Sequence, residues 1–447
     1  MSSYQTIFAL SSGALPAAIS VVRISGPSTK KALSMLVGKI PDPRNMFYSE
    51  IKFPKTKEII DIALTVYFPS SESITGEDLA EFHIHGSLAV LDDLLLALSS
   101  INGLRAAEPG EFTRRALING KMELTQVEAL ADLISAETKK QKDQAVKQIK
   151  GELSNRYNIW RQSLITMRAR IEANLDFVDE TDVQDHNESL DVSKEIKTLL
   201  NNINKDIDRG VYGERLRRGI KIALIGQPNV GKSSLINLLL KEDRAIVSPE
   251  EGTTRDVLEA RLNLNNIPVT IYDTAGIRNT KSAVEAEGVK RAKKTAQEAD
   301  IVMLLFDITK NNKELNGMDF IEDKEKIIKV YNKSDLFESV LPKNKENFII
   351  SCVRETGIEQ LLERIGKRAE VLTGGKDLLG PNRIRHISHL NETKQALEQA
   401  LQEHTAKNYE ITADFLRSAS ISLGRIVGIV DIEDVLDELF AGFCIGK

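Results

Sequence analysis

A short apolar run, a glycine loop and a helical pattern, in immediate succession, constrain the middle of this chain more than any other feature. Gly219 to Ser234 reads GIKIALIGQPNVGKSS, with Ile220–Ile225 ahead of Gly226, Gly231, Lys232 and Ser233, and Ser234 to Leu240 continuing as a helix. Strand, glycine loop, helix is the setting in which GxxxxGKS cradles a phosphate. Backbone N–H groups from Asn229, Val230 and Gly231 through Ser234 turn inward around phosphate oxygens, and the helix N-terminus adds partial positive charge. Lys232 is placed to reach the β- and γ-phosphates as a point charge, and the Ser233 hydroxyl to ligate Mg²⁺.

Three further motifs follow in a fixed order. Asp273-Thr274-Ala275-Gly276 comes after the strand-like Val269–Tyr272. Asp273 is expected at a strand end facing the Mg²⁺ shell, and Gly276 offers an N–H to the γ-phosphate. Asn332-Lys333-Ser334-Asp335 follows another apolar run. The Asp335 carboxylate can accept from both N–H groups on guanine's Watson–Crick edge, a pair adenine cannot supply, so a site built on it discriminates strongly. Ser351-Cys352-Val353, after Phe348–Ile350, fits a backbone loop closing over the base. Each short motif is weak alone; the ordered set points to GTP.

The remainder of the chain bounds the rest. Its 447 residues allow about three domains. With 60 basic against 65 acidic residues the formal charge is −5, so the whole molecule carries no nucleic-acid footprint, although a local basic face can hide in such an average. Two cysteines, Cys352 and Cys444, suggest neither a disulfide framework nor a zinc site. The N-terminus has no leader pattern and no stretch reaches about 18 apolar residues, so a cytoplasmic protein is expected.

Residues 1–120 read as α+β, with strands predicted at Thr6–Leu10, Ala18–Ile24, Asp61–Phe68 and Asp78–Ile84 and helices near Thr29–Val37 and Leu88–Ser99. His83 and His85 share a strand face, which is more often a sheet surface than a metal pair. From Met122 to Val178 only Gly151 interrupts a helical pattern, predicting two helices; Leu153, Tyr157, Trp160, Leu164, Met167, Ile171, Leu175 and Val178 form the buried seam of the second. After an acidic break another helix runs toward Arg209, and Gly210, Gly213 and the basic cluster Arg215, Arg217 and Arg218 mark the passage to the next domain. A loop-like linker lies near Thr373 to Pro381, followed by helices at Ile384–His404, Ile411–Val427 and Ile432–Phe440. That tail holds too little apolar material for a core of its own. The expected class is multidomain α/β: an α+β domain (1–120), a discontinuous helical domain (121–212 and 377–447), and an inserted doubly wound P-loop domain (213–376).

The arrangement resembles one family over essentially its whole length, the MnmE (TrmE) tRNA-modification GTPases. The distinguishing segments are RISGP at 23–27, PGEFTRRALINGKMELTQVEAL at 109–130, GQPNVGKSSLIN at 226–237, EGTTRD at 251–256, DTAGIR at 273–278 and FCIGK at 443–447. The resemblance implies an N-terminal domain that dimerises and binds 5-formyltetrahydrofolate or methylene-tetrahydrofolate through Arg23, Glu81, Lys121 and the terminal Lys447. It implies a homodimer that works with MnmG, an FAD- and NADH-dependent protein, in a heterotetramer or larger complex. Together they install a carboxymethylaminomethyl or aminomethyl group at C5 of the wobble uridine of tRNA. Cys444 fits either covalent chemistry or simple packing.

For hydrolysis, Ile277 occupies the place where Ras-like proteins carry a glutamine that orients the attacking water. The resemblance assigns that task to Glu285, which otherwise reads as a solvated helix residue. It assigns K⁺ to Asn229 with the segment containing Ser248, Glu250, Gly252 and Thr253, in place of an arginine finger, and gives Thr254 to Mg²⁺ beside Ser233. Activation would follow when two such domains meet face to face. A GTP-dependent assembly switch with no one-carbon role is the competing class; the first 120 residues and the FCIGK end favour the modifying enzyme.

Overall fold

A computed structural model describes residues 5–176, 191–242, 244–246, 259–273, 294–310, 323–336, 347–375 and 380–430, together with 436, 439, 440, 442, 443 and 446. The chain divides into two compact units. One comprises Met1–Ala131, Ser154–Asn158 and Leu423–Lys447, and the other Asp132–Leu153 and Ile159–Ser422.

The first unit is built on a six-stranded sheet in the order β3-β4-β5-β2-β1-β6, formed by β1 (Thr6–Leu10), β2 (Ala17–Ser25), β3 (Phe47–Lys52), β4 (Ile59–Phe68), β5 (Leu79–Gly86) and β6 (Leu104–Ala106). The four predicted strands are present; β3 and β6 are additions. Val22, Ile24, Phe82 and Ile84 alternate onto one face and bury against Leu33 and Leu36 of α1 (Thr29–Leu36) and Leu94 and Leu98 of α2 (Leu88–Ser99). The intervening residues Arg23, Glu81 and His83 therefore point to the other face. There α3 (Glu111–Ile118) places Phe112 against Ile7 and Ala9. Burial alone would raise the Glu111 carboxyl, but hydrogen bonds from Arg105, the Glu108 amide and Arg115 hold it below the usual range. The tail returns to this unit. Phe440 and Phe443 pack with Leu124 and Val127, and the Gly446 carbonyl accepts from Ser11 Oγ at 2.7 Å.

The predicted first helix after Met122 is two: α4 (Leu124–Ile134) and α5 (Lys139–Ile149). The break has a local cause, because Thr138 and Gln141 form a capping box that starts a new helix where periodicity suggested continuity. In α6 (Glu152–Asp176), Leu153, Tyr157, Leu164, Met167 and Ile171 are buried as expected. Trp160 and Leu175 are only half-buried, a correction to the predicted seam. Val178 lies outside the described residues.

The helix expected to end near Arg209 is α7 (Ser193–Arg218), which runs about two and a half turns further. Gly210 and Gly213 sit inside it because of packing and not because the chain turns there. A Cβ at Gly210 would lie 2.8 Å from Ile387 Cγ1, and one at Gly213 would lie 2.5 Å from the Pro381 carbonyl oxygen. Beyond Gly219 the second sheet begins, with β7 (Ile220–Ile225), β8 (Glu259–Leu264), β9 (Ile267–Asp273), β10 (Ile301–Asp307), β11 (Ile327–Asn332) and β12 (Asn347–Ile349). Its order is β12-β11-β10-β7-β9-β8, parallel except for the β8–β9 hairpin, which turns on Asn265 and Asn266 at positive φ. The chain leaves β7 toward β9 and returns to pair β10 on its other side. That switch of direction opens a crevice at the carboxyl ends of the strands. Helices α8 (Lys232–Leu239) and α9 (Ile358–Leu372) flank the sheet, and α10 (Ile384–Thr405) and α11 (Tyr409–Val427) complete the helical part.

The junction between α7 and β7 is tied down at one carboxylate. Asp300, buried just before β10, accepts two bonds at 2.8 Å from Arg218, one at 3.1 Å from Arg215 and one at 3.0 Å from the Lys221 amide. Burial opposes the charge, and these donors outweigh it and hold the Asp300 carboxyl below its ordinary range.

Candidate functional site

Most of the predicted nucleotide residues that are described converge at the carboxyl ends of β7, β9 and β11, around a cleft of about 740 Å³. At its phosphate end, Asn229 adopts φ 63° and Gly231 φ 100°, so the loop curls before α8 begins at Lys232. Lys232 is 7% exposed and its ammonium donates to the Gly226 and Gln227 carbonyls at 2.7 and 3.0 Å. Burial lowers the pKa of that ammonium, partly countered by the Asp273 carboxylate. Ser233, Ser234 and the buried Asp273 line the same end. Val230 does not line the cleft: its side chain packs into the sheet core and its carbonyl accepts a hydrogen bond from Asn332.

Asn332 is the brace between the two ends. Its Nδ2 donates to Val230 O at 2.9 Å and its Oδ1 accepts from the Cys352 amide at 3.2 Å, which joins the phosphate loop, β11 and the loop after β12. Gly231 must be glycine for this brace to fit, since a Cβ there would stand 2.3 Å from Asn332 Nδ2. At the base end Asp335 accepts from Ser351 Oγ at 2.5 Å, a bond that holds its carboxyl below the usual range. Ser351 is itself fully buried and supports Asp335 from beneath, whereas Lys333, Cys352 and Val353 line the cleft. Burial pushes the Cys352 thiol up to about 11, so it remains a neutral wall and not a nucleophile at neutral pH. Pro228 and Leu336 also line the cleft and were invisible to motif matching, which reads the fixed positions of a pattern and not the residues between them.

Thr274, Ala275, Gly276, Ser248, Glu250, Gly252, Thr253, Thr254 and Glu285 lie outside the described residues, as do Cys444 and Lys447.

The second predicted group is partly assembled. Arg23 and Glu81 are direct cross-strand neighbours, and the guanidinium donates to Glu81 Oε1 at 2.8 and 3.0 Å. Glu81 Oε2 is 3.2 Å from His83 Nε2, and Arg23 lies 5.8 Å from the Phe112 ring centroid. Lys121 instead donates to the Ser71 carbonyl at 2.9 Å. His83 and His85 take separate partners, the latter pairing with Asp61 at 2.9 Å. No group of three or more metal-ligating side chains occurs among the described residues. No helix among them is long and apolar enough to cross a membrane.

Comparison with known proteins covers the chain from end to end. The family described as the GTP-binding protein TrmE N-terminus matches residues 6–121, and the MnmE helical domain matches residues 124–444. A tRNA modification GTPase MnmE of Mesorhizobium japonicum is 42% identical over 450 residues, covering 100% of both chains. Proteins of the same name from Brucella abortus and Agrobacterium fabrum are each 43% identical, over 99% and 100% of this chain and 98% and 99% of theirs. With both ends of the sequence and the braced cleft accounted for by one group of relatives, the chain belongs to the MnmE family of tRNA modification GTPases.

Proposed function

We propose that this protein hydrolyses GTP and uses the cycle to drive modification of C5 of the wobble uridine of tRNA, as a homodimer in the cytoplasm working with MnmG. The observation that carries the reading is the cleft in which Lys232, Ser233 and Asp273 meet Lys333 and Asp335, phosphate and base determinants at the two ends of one cavity. The four-part division at 120, 212 and 376 is proposed as the frame for that coupling.

The donor set at the phosphate end, a serine hydroxyl and a buried carboxylate, suits a hard divalent cation. Ser233, with Thr254, would hold Mg²⁺, which neutralises phosphate charge when bound. Asn229 is the described donor for K⁺, with Ser248, Glu250, Gly252 and Thr253 proposed alongside it. Glu285 is proposed to orient the attacking water, because Ile277 has no hydrogen-bonding group. Turnover in potassium is expected to exceed turnover in sodium by at least about tenfold, on the scale of one transition-state charge contact. Equal steady-state phosphate release in the two salts removes Asn229 from the reaction.

Glu81 accepts two bonds from Arg23 and one from His83, which leaves one of a carboxylate's about four acceptor sites; the paired donors of a pterin would take that site and the one His83 now fills. Arg23, Lys121 and Lys447 are proposed for the remainder of a formyl- or methylene-tetrahydrofolate, which would supply the one-carbon unit. Cys444 is proposed at the same end of the chain, in a reactive or a packing role.

The reading is tested in a bacterial strain deleted for its own member of the family. Expression of this chain is expected to restore the modified wobble uridine, measured by nucleoside mass spectrometry, while a Lys232→Ala variant restores none. Absence of rescue by the unaltered chain at normal expression contradicts the tRNA assignment.

A further inference from the structure

We propose that Asp307 is a positioning residue for base recognition, anchoring the head of Lys333 so that its four-carbon stem forms a fixed wall of the base pocket. The proposal rests on the guanine-nucleotide reading of the cleft. Asp307 ends β10 opposite Asn332 of β11, one residue before Lys333. It is 4% exposed, and no sequence motif pointed to it.

Both carboxylate oxygens are committed. Oδ2 accepts from Lys333 Nζ at 2.7 Å, and Oδ1 accepts from Thr309 Oγ1 at 2.6 Å and from the Thr309 amide at 3.1 Å. The carboxylate is therefore locked from one side by the chain that follows it and offers its second oxygen to the lysine. Lys333 has φ 68°, a left-handed conformation that a non-glycine residue adopts only when its surroundings impose it. Its two ends are thereby set, the backbone by the turn into Ser334 and the ammonium by Asp307. Lys333 and Cys352 both line the cleft, and the wall that the lysine contributes is assigned to the methylene stem between those two fixed ends. A lysine with a free head would sample many rotamers and would have to be ordered each time a base entered.

The test is a comparison of GDP and IDP affinities by displacement of a fluorescent GDP. Inosine lacks the exocyclic amino group and therefore reports on Asp335, whereas packing on the lysine stem is the same for both bases. Asp307→Asn is expected to weaken both nucleotides by the same factor, about tenfold, the scale of ordering one long side chain on binding. In a Lys333→Met background, where no ammonium needs an anchor, the same substitution is expected to change neither affinity. Thr309→Val, which removes the hydroxyl bond to Oδ1 and keeps the amide bond, provides a milder variant should Asp307→Asn not fold. It is expected to cost about threefold for both nucleotides, the weight of one ordinary hydrogen bond.

Failure of the unaltered chain to bind either nucleotide overturns the guanine reading and this proposal with it. Normal binding by the unaltered chain overturns the positioning role alone under any of three results. These are an unchanged affinity in the aspartate variant, an equal loss in the methionine background, or a narrowed preference for GDP over IDP.

Discussion

Asp335→Asn is expected to weaken GTP by at least about 100-fold and to make XTP the preferred nucleotide, because a site built around a specific hydrogen bond rejects a ligand that cannot make it. The carboxylate can accept from both N–H groups of guanine's Watson–Crick edge. An amide in its place offers one acceptor and one donor, and the donor matches the extra carbonyl of xanthine. Ser351 Oγ, 2.5 Å from Asp335, can still donate to the amide oxygen, so the side chain keeps its support and the change is confined to recognition. Competition of GTP and XTP against a labelled nucleotide measures the exchange. A preference for guanosine that survives the substitution means the base is held by some other group.

The second large effect is expected at Gly231. Gly231→Ala places a side chain at φ 100°, which costs about 1–2 kcal/mol for an L-residue in left-handed backbone. It also drives a methyl group to 2.3 Å from Asn332 Nδ2. That amide must then abandon the Val230 carbonyl, at about 1–3 kcal/mol for a buried group left unpaired. The sum, about 3 kcal/mol, is expected in chemical denaturation. Nucleotide binding is expected to fall by more than about 100-fold, since Asn332 also sets the Cys352 loop at the base end. A variant that keeps its stability and its GDP affinity contradicts the role of Asn332 as the brace of the cleft.

These effects separate what neighbouring residues dictate from what distant ones impose. Ile220–Ile225 followed by Gly226 and Gly231 is a strand and a loop by virtue of residues adjacent in the chain, and it folded as read. Alternation in β2 and β5 likewise placed Val22, Ile24, Phe82 and Ile84 on the core side and Arg23 and Glu81 on the other, because side-chain period two is a property of the strand itself. The identity of the nucleotide was legible for the same reason, since Asp335 and Lys232 stand at fixed offsets within local motifs.

Other features were settled by partners far away in sequence. Gly210 and Gly213 look like helix terminators, yet they are helix interior because Ile387 and Pro381 press against that face. Trp160 falls on the apolar period of α6 but is half-buried, since periodicity identifies a helix face without giving the extent of what covers it. Asp307 reads as the polar end of an apolar strand. Only the parallel pairing of β10 with β11 brings it to the head of Lys333, 26 residues on. The chain alone fixed which local elements form and which nucleotide chemistry they can perform. Tertiary structure decided which small residues are contacts and which buried charge braces the site, because those outcomes depend on the residue packed opposite and not on the residue next in line.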